Sequence, residues 1–212
     1  MAYFPLFVSM EGVPCLVIGG GRVALRKILT LMEFGAAVTV VSPRLLPEIE
    51  ALSGIKLVRR KFREQDLEGI SFLFAASSDE LCNRRAAQLG RERKIPVNAA
   101  DLPGDCDFFF PALVRRGDVV VGVSSAGKSP ALTGRVRALV ERALPDDLAG
   151  FAGQMGSMRK EIMERGGTAG EDPAYRRKIE EYFERYEDSE SRNENQRACH
   201  GADRGGDSRN EE

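Results

Sequence analysis

Val13-Pro-Cys-Leu-Val-Ile-Gly-Gly-Gly-Arg-Val-Ala-Leu-Arg-Lys-Ile-Leu-Thr-Leu-Met-Glu-Phe-Gly35 is the stretch from which the architecture follows. Cys15 to Ile18 is a short apolar run with β-branched residues, the pattern of a strand buried on both faces. Gly19, Gly21 and Ala24 then fall in G-x-G-x-x-A spacing, where a strand should turn into a helix. The first glycine permits the tight turn, the second lets backbone approach a pyrophosphate, and the alanine lets helix and strand pack closely. A helix opening there offers unpaired N–H groups and the positive end of its dipole to phosphate oxygens. Val23, Leu25, Ile28, Leu29, Leu31 and Met32 give that helix an apolar face, and Gly35 ends it. Val38 to Val41 reads as the next strand. Strand, glycine turn, helix, glycine cap and second strand within about 30 residues make a dinucleotide-binding βαβ unit the expected reading.

Outward from this unit the alternation continues. Pro47 to Leu52 reads as a helix, Lys56 to Arg60 and Phe72 to Ala76 as strands, and Asp79-Glu80 open a helix holding Asn83, Ala86 and Ala87. Ile95 to Ala100 is a fifth core strand, and Phe7 to Met10 a short one ahead of the unit. Such alternation predicts a parallel, doubly wound α/β sheet whose ligand lies beyond the carboxyl ends of its strands. Gly21, Ser42, Ser77 and Asp101 all sit at such ends and should converge on one crevice. Ser42-Pro43-Arg44 follows the second strand, where adenosine-ribose contacts belong. The usual acidic residue is missing there, and Arg44 suits a 2′-phosphate as well as a 2′-hydroxyl site.

From Phe108 the pattern changes. Phe108 to Val114 and Val119 to Val123 predict a strand pair around Gly117, and Ala131 to Ala143 a helix. Two more helices are expected over 148–165 and 173–186. The expected fold is thus α/β: a Rossmann-like parallel sheet domain over 1–113, a small α+β dimerisation region over 114–146 and a C-terminal helical region over 147–187. Residues 188–212 hold no large apolar side chain and are expected to be a disordered tail.

The composition excludes several classes. A net charge of −1 over 212 residues argues against nonspecific nucleic-acid binding. No stretch reaches the roughly 20 apolar residues of a membrane span, and Met1 to Phe7 lacks a basic n-region and a cleavage site, so the cytoplasm is expected. Four cysteines without a C-x-x-C pair predict neither structural zinc nor a disulfide framework, and no metal site is expected. The one histidine, His200, lies in the polar tail, so proton transfer in the folded part falls to carboxylates.

Several segments resemble one known family, the precorrin-2 dehydrogenase and sirohydrochlorin ferrochelatase family, which is also the N-terminal module of sirohaem synthases. They are Phe4 to Phe7, Gly19 to Lys27, Ala75 to Asp79 with Asn83, Asn98 to Asp101, Phe108 to Pro111, and Val123 to Pro130, in the family's order. The resemblance implies NAD-dependent oxidation of precorrin-2 to sirohydrochlorin, with Fe²⁺ insertion to sirohaem in some members. It implies a homodimer joined through the region after Phe108; in a departure from the bifunctional members, a methyltransferase module is not expected. It makes Asp101 the catalytic carboxylate and Arg22, Val23, Pro43 and Arg44 cofactor contacts, beside Gly19, Gly21, Ser42 and Ser77. Ser125 matches a serine that lies at the tetrapyrrole site in some members and can be phosphorylated there.

The chemistry of such a substrate agrees. Precorrin-2 carries eight carboxylates, so Lys128 and Arg115 are candidate substrate contacts together with Ser125 and Asn98. Oxidation passes a hydride to the nicotinamide and releases a proton, which Asp101 can accept, with Asp105 and Asp107 as runners-up. Two other readings stay open on the same residues: an NAD(H)-sensing regulatory module without catalysis, and a dehydrogenase for a small substrate.

Overall fold

In the computed structural model, which describes residues 4–100, 104 and 106–202, five parallel strands form one sheet in the order β3-β2-β1-β4-β5. The strands are β1 (Pro14–Ile18), β2 (Ala37–Val41), β3 (Lys56–Val58), β4 (Phe72–Ala75) and β5 (Val97–Ala99). Helices α1 (Arg22–Glu33), α2 (Pro47–Glu50) and α3 (Glu80–Glu92) connect them. The fold is Rossmann-like. Strand order reverses direction between β1 and β4, and in such sheets the ligand crevice lies at that reversal.

Alternation along β1 explains why it is central. Leu16 and Ile18 join one buried cluster with Ala86, Ala87 and Leu89 of α3. Cys15 and Val17 join a second with Ala24, Ile28 and Leu31 of α1. The two helices therefore cover opposite faces, and a side chain of Leu or Val size buried here contributes about 1.5–3 kcal/mol. Burial also pushes the Cys15 thiol up to about 11, so it is a small apolar filler and not a nucleophile.

The structure forms two compact units by its contacts: the residues up to Pro111 with Ser124–Thr133, and Ala112–Val123 with Gly134 onward. The second unit contains the antiparallel pair β6 (Ala112–Arg116) and β7 (Val119–Val123), joined through Gly117 at φ +62°. It also holds most of α4 (Pro130–Ala143), then α5 (Leu148–Glu164) and α6 (Pro173–Ala202). Tyr182 of α6 stacks on Phe151 of α5 at 3.8 Å, and its hydroxyl donates to Asp147 Oδ1 at 2.6 Å.

Burial, with Asp147 alongside, pushes the Tyr182 hydroxyl up to about 12. The folded value lies above the ordinary one of about 10, so folding favours the neutral phenol. Its contribution is complete below pH about 10 and is lost as pH rises through the folded value. Tyr182→Phe keeps the stack, loses the hydrogen bond, and should cost about 1 kcal/mol. The variant should also show a shallower loss of stability above pH 10 in urea titrations followed by far-ultraviolet circular dichroism.

Three segments differ from the sequence expectation. Residues 4–10 form no strand, and Phe4, Leu6 and Phe7 are exposed. The Phe108–Pro111 part of the expected strand is instead an aromatic plug. Phe108 meets Phe72 and Phe74 edge-on at 5.6 Å, and Phe110 meets Phe74 likewise. The last helix runs on to Ala202 through residues expected to lie in the tail. Between Glu187 and His200 there is neither proline nor glycine, so nothing local stops it.

Candidate dinucleotide crevice

The glycine turn sits at the end of β1, beside the strand-order reversal. Gly19 has φ +124°, a conformation open to glycine, and donates its N–H to Val41 O at 3.0 Å. A Cβ there would lie 2.9 Å from Ser77 N and closer still to Ala76 O. At Gly20 it would lie 2.9 Å from Ser42 Oγ and run into Arg44 O. At Gly21 it would meet nothing within 4 Å. The first two glycines are thus demanded by neighbouring backbone, whereas the third faces open space at the start of α1.

Gly21 is also the N-cap of α1, and no side chain caps that helix end. An open, uncapped helix N-terminus above a glycine turn is the arrangement a pyrophosphate requires. On this observation the residues fit a dinucleotide. Of the expected contacts, Arg22 is exposed and Val23 half-buried on the first turn of α1.

The loop after β2 is locked onto the turn. Ser42 is buried and donates through Oγ to Arg44 O at 2.5 Å, and Leu46 N donates to Gly20 O at 2.9 Å. Pro43 and Arg44 are exposed next to it. Ser42 therefore shapes the loop with its hydroxyl, which leaves Pro43 and Arg44 as the exposed groups. Gly20, to which the G-x-G-x-x-A spacing assigns no role, is the residue that lets loop and turn meet.

On the other side of the reversal, the Ser77 amide, carbonyl and hydroxyl are all engaged by Asn83 of α3. Asn98 is buried on β5, accepting from Lys27 Nζ at 2.6 Å and donating to Phe108 O at 2.9 Å. Its amide is committed to protein groups. Asp107 accepts from Val97 N at 2.9 Å and donates its own N–H to Val97 O at 2.8 Å. The Cys106 thiol accepts from Ala99 N at 3.3 Å and donates to Ala99 O at 3.1 Å. These rungs fasten the chain before residue 100 to the chain after residue 105. Of the three carboxylate candidates, Asp107 is thereby tied to backbone, and Asp101 and Asp105 lie outside the described residues. Ala100, which precedes Asp101, donates to Ala75 O at 2.8 Å, at the carboxyl end of β4.

Ser125 and Lys128 lie in the Ser124–Thr133 segment of the first unit. The Ser125 hydroxyl accepts from Thr133 Oγ1 at 2.8 Å and from Ser129 N at 3.1 Å, and Lys128 is exposed. Arg115 belongs to β6 in the second unit, where its Nε donates to Gly117 O at 2.8 Å. Among the described residues no His, Cys, Asp and Glu cluster could hold a metal, and no helix is long and apolar enough to cross a membrane.

Residues 6–112 match the protein-family model described as "Putative NAD(P)-binding", which spans half of the chain and every strand of the parallel sheet. The chain belongs to that family. It is 37% identical over 165 residues to siroheme synthase of Methylococcus capsulatus, covering 76% of this chain and 35% of the relative. With siroheme synthase of Ectopseudomonas mendocina the identity is 38% over 166 residues, covering 78% and 35%. The chain thus spans about a third of the length of these curated relatives. Among solved structures it resembles "SirC, precorrin-2 dehydrogenase", with a TM-score of 0.65, 28% identity, and coverage of 76% of this chain and 81% of that one.

Proposed function

We propose that this chain is a precorrin-2 dehydrogenase that forms sirohydrochlorin with NAD as oxidant, a step in sirohaem biosynthesis. The observation that carries the reading is the uncapped, open N-terminus of α1 above Gly21, in a chain similar over most of its length to SirC, precorrin-2 dehydrogenase. When bound, NAD supplies a two-electron acceptor that takes up a hydride.

The rest of the chemistry belongs to the chain. The first turn of α1 holds the pyrophosphate through backbone N–H groups, with Arg22 and Val23 beside it. Gly19 and Gly20 allow the β2 and β4 loops to close round the turn, with Pro43 and Arg44 exposed on the adenosine side. Asp101, next in sequence to Ala100 at the end of the sheet, accepts the proton released on oxidation. Lys128, exposed in the segment that Ser125 pins to Ser129 and Thr133, engages the substrate carboxylates, and Asn98 holds the chain on both sides of Asp101 in place. Incubating the purified protein with precorrin-2 and NAD should give the sirohydrochlorin absorption spectrum together with NADH. No spectral change from folded, NADH-binding protein would overturn the assignment and leave a nucleotide sensor in its place.

The dehydrogenase acts as a cytoplasmic homodimer. Two features of the second unit support a second copy as partner. Helix α4 has no buried residue, with Val136 and Leu139 exposed one turn apart, and β6–β7 is a two-stranded sheet, too small to be stable alone. Leu139→Asp should shift the particle from dimer to monomer in size-exclusion chromatography with light scattering. A wild-type monomer at micromolar concentration would sink the dimer.

A further inference from the structure

Asn83 is 4% exposed, one of three buried polar side chains among the described residues, the others being Ser42 and Asn98. It sits in the first turn of α3, and every hydrogen-bonding direction of its amide group that the structure uses points at one residue. Its Oδ1 accepts from Ser77 N at 3.1 Å and from Ser77 Oγ at 2.8 Å, and its Nδ2 donates to Ser77 O at 2.9 Å. The side chain thus pairs with Ser77 as a neighbouring strand would, just where β4 has ended. Asn83 is itself fixed: its N–H donates to Asp79 O at 3.0 Å, and Asp79 caps the helix by accepting from Cys82 N at 3.1 Å.

The pinned residue forms a wall of the crevice. Ser77 N lies 2.9 Å from where a Cβ on Gly19 would be, so the backbone that Asn83 holds abuts the first glycine of the turn. We propose that Asn83 is a positioning residue for the dinucleotide. It sets the path of Ala76–Ser77 against Gly19, and the Ser77 hydroxyl serves that staple instead of contacting the cofactor. The proposal rests on the dinucleotide reading of the crevice and adds a residue to it.

The test is NADH affinity, read from enhancement of nicotinamide fluorescence, with the melting temperature of the unliganded protein measured alongside. Asn83→Ala removes all three bonds and should raise the Kd for NADH about tenfold, equivalent to ~1.4 kcal/mol. Asn83→Asp keeps both acceptor bonds but turns a buried carboxylate oxygen on Ser77 O, so it should weaken NADH at least as much as Asn83→Ala, and it serves if the alanine variant does not fold. Ser77→Ala removes one of the three staple bonds, together with the hydroxyl's contacts to Asp79 O at 3.0 Å and Asp79 N at 3.2 Å. It keeps the two bonds that hold the Ser77 backbone, so it should weaken NADH by only about two- to threefold. A general loosening of the core would lower the melting temperatures without ordering the affinities in this way. Wild-type affinity in both Asn83 variants, or a Ser77→Ala loss as large as that of Asn83→Ala, would overturn the proposal. Failure of the wild-type protein to bind NADH would instead remove the dinucleotide reading itself.

Discussion

Gly20→Ala should abolish measurable NADH binding and destabilise the first unit by about 1–3 kcal/mol, the usual cost of forcing an extra methyl into a closely packed site. The new methyl would lie 2.9 Å from Ser42 Oγ and would displace Arg44 O. Neither neighbour can give way cheaply. Ser42 is buried and bonded to Arg44 O, and Leu46 N is bonded to Gly20 O itself. Relief requires the whole 42–46 loop to move off the turn, taking with it Pro43 and Arg44. Gly21→Ala is the informative contrast, because its Cβ enters open space. It should leave the melting temperature nearly unchanged while lowering NADH affinity, since the methyl occupies the approach to the pyrophosphate. Equal effects of the two variants on stability would show that the close packing around Gly20 is not what holds the loop.

Asp101→Ala should lower kcat for precorrin-2 oxidation by about 10²–10⁴-fold, the usual worth of a placed general acid or base. NADH affinity should change by less than about threefold, because the cofactor is held by the β1 turn and its two flanking loops. Asp101→Asn keeps the shape and loses the proton acceptor, so it should be as inactive as the alanine variant. Dehydrogenase activity surviving in Asp101→Asn would move the proton transfer to another group. Asp107 is a poor heir, since its carboxylate is held by Val97 N. If neither wild type nor variant turns over precorrin-2 while both bind NADH, the regulatory-module reading takes over.

The sequence made β1, α1 and the crevice legible because hydrophobic period, glycine spacing and strand order all point one way there. Cys15 to Ile18 lies within β1, and the motif lies at its carboxyl end. Pairings across the fold were illegible for a physical reason: nothing local marks them. The Ser77–Asn83 staple and the contact of Gly20 with the 42–46 loop exist only once α3 and β2 have packed on the sheet. Ser77 reads as a ligand contact from its strand-end position, and only the folded chain reveals that its hydroxyl is already engaged. Phe108 to Pro111 misleads differently. An apolar run fits a buried strand and an aromatic plug equally well, and the ring geometry against Phe72 and Phe74 decides.

The rungs that join Val97 and Ala99 to Asp107 and Cys106 have a consequence for how copies of this chain meet. β5 ends the parallel sheet, and its Val97 and Ala99 amides and carbonyls point away from β4. A bare row of such groups is a template for foreign strands, and here all four are taken by the protein's own residues. The β5 margin of the sheet is sealed against β-augmentation and cross-β aggregation. A second copy of this chain therefore finds no main-chain partner along β5, and its contacts there fall to side chains.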